Sequence, residues 1–273
     1  MDRHSHPLIT GLRCAGTLSP YFDMAVIDVE SGQWIRATDL FLGDGQRLRD
    51  LVMTYGHEAW GTENNHVAGS AFIIAYLTRL IYPVIAQYVL HRRVPNVRLE
   101  NLAFHRTNDR IDSTAIITPA FAALPGDSAV SHPDAVKVED GDALYARFKE
   151  WVFTANAELV ITALHRATHA SVKVSQNAVA AACAQAFHLL YPLVEDPALV
   201  VRDASTLFED PSSLVYRQVD MEVIEYRGER GFFARRGGCC LVWRTSRAHG
   251  YCSNCILRPS EQQTRDFQEM LLG

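Results

Sequence analysis

The sequence predicts an α/β fold of the mixed α+β kind: a helix-rich body followed by a small C-terminal unit built around cysteines. Three observations predict it. Apolar residues recur at helical spacing through residues 65–92, 140–168 and 176–190. Short alternating or apolar runs lie between and after these stretches, as strands do. Four of the six cysteines, Cys239, Cys240, Cys252 and Cys255, crowd into seventeen residues near the C-terminus. At 273 residues and 48% apolar composition the chain can bury a substantial core, as one large domain or two unequal ones. The reading places the body at residues 1–205 and the cysteine-bearing unit at 206–273.

The elements follow in order. Residues 1–55 are mixed, with turn signals at Ser31-Gly32 and Gly43-Asp44-Gly45. A helix is expected from Asn65 to Arg92. Its apolar run, Val67 to Leu90, is interrupted by Arg79 and Pro83, so it lacks the unbroken span of about 18–20 apolar residues that crosses a bilayer. A buried helix kinked near Pro83 is the expectation; peripheral association with a membrane transporter stays open. Val97 to Leu102 alternates as a half-buried strand would, with Ala115 to Thr118 as its partner, and the stretch to Asp134 reads as loop. Asp140 or Asp142 caps a helix running to Thr168, and Ser175 caps a second, Gln176 to Leu190, which stops before Pro192. Residues 215–226, 232–233 and 241–243 read as short strands or extended chain around the cysteines. A last helix spans 260–272.

Clustered cysteines are poorly explained by packing, because structural thiols scatter through a core. Four thiolates are the usual ligand set of an iron–sulfur cluster or a zinc ion. Cys252-Ser-Asn-Cys255 has the two-residue gap of a chelating pair, whereas Cys239 and Cys240 are adjacent, and adjacent side chains in extended chain diverge. A sharp turn, which Gly237 and Gly238 would permit, is needed to bring both to one centre. A two-iron cluster is larger than a zinc ion and tolerates this bite better, so an iron–sulfur cluster is the expected cofactor, with the spacing alone leaving [2Fe–2S] and [4Fe–4S] both open. Structural zinc, or a disulfide or free thiols, are the other readings of the spacing. The N-terminus shows no apolar core of a secretory signal, so a cytoplasmic location is expected, where thiol clusters bind metal or are redox-active more often than they form disulfides.

The stretch Gly231-Phe-Phe-Ala-Arg-Arg-Gly-Gly-Cys-Cys-Leu-Val-Trp, followed by Tyr251-Cys-Ser-Asn-Cys-Ile-Leu, resembles the FhuF-type ferric-siderophore reductases. The likeness covers roughly residues 230–258. It departs from the family pattern in an eleven-residue spacer and in Ile256, where proline is common. The resemblance implies an oxidoreductase whose Cys239, Cys240, Cys252 and Cys255 hold a [2Fe–2S] cluster, with no catalytic residue beyond these ligands. The cluster would pass one electron to a ferric siderophore, more commonly of hydroxamate type, docked in a cleft of the body. A ferredoxin or a nicotinamide-dependent reductase would supply the electron. No Gly-x-Gly-x-x-Gly fingerprint is present, so no nicotinamide or flavin is expected in a Rossmann unit of this chain. Two rivals carry the same cysteines: a zinc-stabilised binding module without enzymatic activity, and an iron–sulfur sensor or regulatory protein.

A cluster on four thiolates carries net charge about −2 oxidised and about −3 reduced, so nearby positive charge raises its potential. Arg235, Arg236, Arg244 and Arg247 flank the ligands and are either tuning charges or solvated surface. Trp243 and Tyr251 either shield the cluster or stack on a substrate. The formal charge of −5 and the absence of any basic run longer than two residues argue against a nucleic-acid partner. His165 and His169 sit one helical turn apart, but no third ligand is evident; they read as packing or surface groups, as do His57-Glu58 and His66. Cys183 reads as a small core residue.

Overall fold

The computed structural model describes residues 5–27, 34–107 and 110–273; the turn expected at Ser31-Gly32 lies outside them. The fold is mixed α+β and helix-rich. The N-terminal part contains α1 (Pro7–Leu18), β1 (Ala25–Val26), β2 (Trp34–Arg36), α2 (Ala37–Phe41) and α3 (Gln46–Trp60). Then comes α4 (Asn65–His91), around which the rest is arranged. Its start is fixed by Asn64, whose side chain accepts hydrogen bonds from the His66 and Val67 amides at 3.0 and 3.2 Å. It stops at Arg92 in the left-handed conformation. Leu77, Leu80, Ile81, Val84 and Ile85 are fully buried. By length and composition α4 could cross a membrane, yet 78% of its most apolar window is buried within the protein. The helix continues through Pro83.

Beyond it lie β3 (Arg93–Pro95), β4 (Leu102–Thr107), β5 (Arg110–Ile116), β6 (Phe121–Ala123) and β7 (Ala135–Lys137). They form two small sheets, in the orders β1-β5-β4-β2 and β3-β6-β7. Two expectations fail here. Residues 97–101 are not a strand: they end in a single helical turn, Leu99–Asn101, ahead of β4. The reason is the Asn101 side chain, which donates to the carbonyls of Asn96 (2.7 Å) and Thr118 (2.9 Å) and accepts from the Thr118 amide (2.9 Å). It satisfies backbone groups that a ladder would otherwise pair. The segment before Asp134 is not all loop, since β6 crosses it. Phe121, Ala122 and Ala123 are buried together, so no alternation marks them as a strand.

Asp140 caps α5 (Gly141–Phe148) by accepting from the Ala143 amide at 2.9 Å. The helix then widens into a π stretch, Lys149–Ala157, and continues as α6 (Glu158–Thr168). Asn156, fully buried in the π stretch, donates to the Val97 carbonyl and accepts from the Tyr76 hydroxyl, both at 2.6 Å. Helix α7 (Val172–Leu190) starts a turn earlier than expected. Ser171 caps it, while Ser175 is buried within it. Ala180, Ala184 and Ala186 are fully buried, and their small size lets α7 lie close against α4.

After α8 (Pro197–Glu209) the chain forms an antiparallel hairpin of β8 (Val219–Tyr226) and β9 (Glu229–Arg236), and closes with α9 (Ser260–Met270). The two faces of the hairpin have different partners, as alternation along a strand requires. Val219, Phe232 and Ala234 join the main core against α7. Ile224 and Phe233 form a separate small core with Phe267 and Leu271, in which the rings of Phe233 and Phe267 stack at 4.8 Å.

Leu80→Ala should cost about 2–5 kcal/mol of unfolding free energy, as large-to-small changes at closed core sites do. Urea titration measures it. Unchanged stability would contradict the placement of α4 at the centre of the protein.

Candidate metal centre

The hairpin delivers the first two cysteines and a loop delivers the others. Beyond Arg236 the chain passes Gly237 and Gly238 to Cys239 and Cys240. The two glycines serve closeness rather than conformation, since neither has a positive φ. A Cβ on Gly237 would stand 2.7 Å from the Gln218 carbonyl oxygen, and one on Gly238 would stand 1.8 Å from Nδ2 of Asn177 in α7. The sharp turn comes later, at Leu241, which adopts φ 62°. Residues 241–243 are therefore not extended: a single helical turn, Val242–Arg244, follows the adjacent cysteines. The Cys252–Cys255 segment is a tight turn in which the Cys255 amide donates to the Cys252 carbonyl at 3.1 Å. Two contacts hold it in place. The Arg236 amide donates to Asn254 O at 3.4 Å, and Gln263 of α9 donates to Cys255 O at 3.0 Å.

All four predicted ligands meet here. Cys240 and Cys255 are buried, Cys239 is half-buried and Cys252 is exposed. Cys252 and Cys240 share a hydrogen bond, and Cys239 and Cys255 are near enough for their charges to interact. The Cys252 hydrogen bond, more than any other contact, brings the Cys240 thiol down to about 5, helped by the Arg236 guanidinium and by the Val242 N–H. Sharing that proton holds Cys252 in the thiol form, and burial raises Cys255. Backbone N–H groups reach three of the sulfurs: Leu241 to Cys239 at 3.3 Å, Val242 to Cys240, and Leu257 to Cys255. Such donors stabilise sulfur-borne negative charge. Among the described residues no three of the sulfurs lie within 4.8 Å of one another. Four sulfurs, amide donors and an adjacent guanidinium fit an anionic metal–thiolate centre.

The arginines sort into different roles. Arg235 is a clamp: it pairs with Glu222 at 2.5 Å, donates to Ser260 and Thr264 of α9, and covers the Phe267 ring. Arg247 donates to the Glu58 carbonyl and Ser246 to the Gly61 carbonyl, fastening the loop to the end of α3. Arg244 lies over the Trp243 ring. Arg236 alone turns to the thiols. Trp243 and Tyr251 meet edge to face at 5.5 Å and are 39% and 43% exposed, so neither is a buried shield. With Ile256 and Leu257, also exposed, they form an apolar rim on the cysteine loops.

The fold over much of the chain has a counterpart. Two structures of aerobactin synthetase IucA from Klebsiella pneumoniae, one of them ATP-bound, match 65% of this chain with a TM-score of 0.51 at 14% identity. The match spans 32% of the synthetase, so this chain corresponds to about a third of that enzyme. At this identity the likeness is one of fold. No protein-family model matches the chain, and no curated protein matches it in sequence.

The weaker constellations resolve into packing. His165 bonds to the Ala170 carbonyl at 2.9 Å, and His169 ends α6 in the left-handed conformation with its own carbonyl bonded by His66. His57 pairs with Glu63 on the surface. Cys183 is fully buried, which raises its thiol. A trio not anticipated from the sequence, His6, His132 and Asp134, brings its ligand atoms within 4.8 Å. Nδ1 of His6 accepts from the Leu8 amide at 3.1 Å, and Nδ1 of His132 from the Asp134 amide at 3.2 Å. The one lone pair of each neutral ring is thus used, and Nε2 of His6 carries a proton to Asp134 at 3.1 Å. His6 caps α1, and Asp134 braces it from the other end of the chain's first half.

Gly238→Ala should destabilise the loop and expose Cys240 and Cys255 to alkylation, because a methyl there overlaps Asn177. Adding Asn177→Gly should restore protection, as read by mass spectrometry after iodoacetamide treatment. Full protection in the single mutant would refute the close approach.

Proposed function

We propose that the protein is a ferric-siderophore reductase in which Cys239, Cys240, Cys252 and Cys255 hold a [2Fe–2S] cluster. The observation that carries this reading is the convergence of four thiols with three backbone amide donors and the Arg236 guanidinium beside Cys240. The resemblance of residues 230–258 to FhuF-type reductases supports it. So does a fold shared with a siderophore-related enzyme, aerobactin synthetase. A cluster held by these four cysteines would supply one-electron transfer, with a ferredoxin or a nicotinamide-dependent reductase as the source and siderophore-bound Fe(III), reduced to Fe(II), as the acceptor.

The chain's own residues do the rest. The cysteines supply soft thiolate ligands, and the amides of Leu241, Val242 and Leu257 offset their charge. The burial of Cys240 and Cys255 excludes water from the inner side. Cys252 leaves the outer side open, so an acceptor can approach without a conformational change. The rim of Trp243, Tyr251, Ile256 and Leu257 offers an apolar contact there. No bond-making residue is needed. Siderophore oxygens are hard donors that hold Fe(III) far better than Fe(II), so one electron loosens the iron for transfer to other ligands. The reading places the protein in the cytoplasm, with a ferric hydroxamate as the substrate.

Protein purified without oxygen should be brown, bleach with dithionite, and recover its absorbance when a ferric hydroxamate is added. Cys240→Ser should lose both the colour and the ferric reductase activity. Bleaching without recovery would point to a sensor, and full activity in Cys240→Ser would overturn the proposal.

A further inference from the structure

Arg236 stands apart from the other positive charges near the thiols. It ends β9, opposite Val219, with its backbone tied to the Cys252–Cys255 turn. Its side chain turns inward, hydrogen-bonds to Cys240, and lies in the electrostatic reach of Cys252 and Cys255. Tyr82, a buried and neutral phenol of α4, also lies within its electrostatic reach. Nε and Nη2 of Arg236 are shielded from solvent and have no hydrogen-bond partner in the protein. Among the described residues no carboxylate pairs with it.

Guanidinium N–H groups shielded from water without an acceptor are costly unless an anion faces them. A guanidinium does not lose its proton, so it cannot escape that cost by neutralising. Arg235 by contrast is balanced by Glu222, and Arg244 is at the exposed rim. The group of opposite charge available to Arg236 is the thiolate set.

We infer that Arg236 is the fixed counter-charge of the metal centre and raises its reduction potential by stabilising the added electron. This rests on the cluster reading above. Reduction adds one negative charge, and a positive charge held close and out of water favours that step far more than a solvated one does. Arg236 is a positioning residue in this sense, since it tunes the centre and need not touch the substrate.

The test is a redox titration followed by electron paramagnetic resonance, on wild type, Arg236→Gln, Arg236→Lys and Arg235→Gln. Iron and sulfide are counted in each sample. Arg236→Gln, with its cluster retained, should be at least tenfold harder to reduce, a fall of about 59 mV in a one-electron couple. Arg236→Lys should keep most of the wild-type potential, and Arg235→Gln should shift the equilibrium less than threefold. An Arg236→Gln protein with full iron and an unchanged potential would overturn the inference. Failure of both Arg236 variants to load, where Arg235→Gln loads, would also overturn it in favour of a purely structural role. Wild-type protein lacking iron and sulfide would instead remove the cluster reading itself.

Discussion

The thiol site depends on one close approach, that of the Gly238 backbone to Asn177 of α7. A side chain at 238 would push the chain off the helix, and one at 237 would push it off the Gln218 carbonyl. With both absent, the end of β9 lies flat against the body. Cys240 is then buried, and Arg236 points to the sulfurs instead of solvent. The helix that receives this approach is itself placed by α4, whose apolar length is covered by α3, α6 and α7. A core helix buried along most of its length therefore sets the position of a site near the other end of the sequence.

The large elements were legible because their signals are local. The expected span of α4, Asn65 to Arg92, falls within a residue of its observed limits, and Asp140, one of the two candidate caps, marks the start of α5. Elements defined by tertiary partners were less so. β6 is buried on both faces and shows no alternation, and Asn101 replaces a ladder with side-chain bonds. The four cysteines were found by their spacing, but the role of the glycines was not. Sequence suggests conformational freedom, whereas the structure uses the missing Cβ. Likewise, nothing in the sequence separates Arg235 from Arg236. Alternation along β9 sends one to Glu222 and the other to the thiols. The bond from His6, which caps α1, to Asp134 joins residues more than a hundred positions apart, beyond any local pattern.

The proposed one-electron role asks for soft ligands and a nearby positive charge, and the cysteine loops offer four thiols, two of them buried, with the Arg236 guanidinium beside them. Part of the chain shares its fold with part of aerobactin synthetase at 14% identity, and a fold common to two chains does not fix their chemistry. The cysteines of this chain sit on the end of a hairpin and on a loop, beside exposed Trp243 and Tyr251.

The most direct measurement is the count of iron, acid-labile sulfide and zinc in the anaerobically purified protein, with native mass spectrometry for the intact mass. The account predicts two iron atoms and two sulfides on each chain, lost together when Cys255 is changed to Ser. One zinc ion and no sulfide would contradict it.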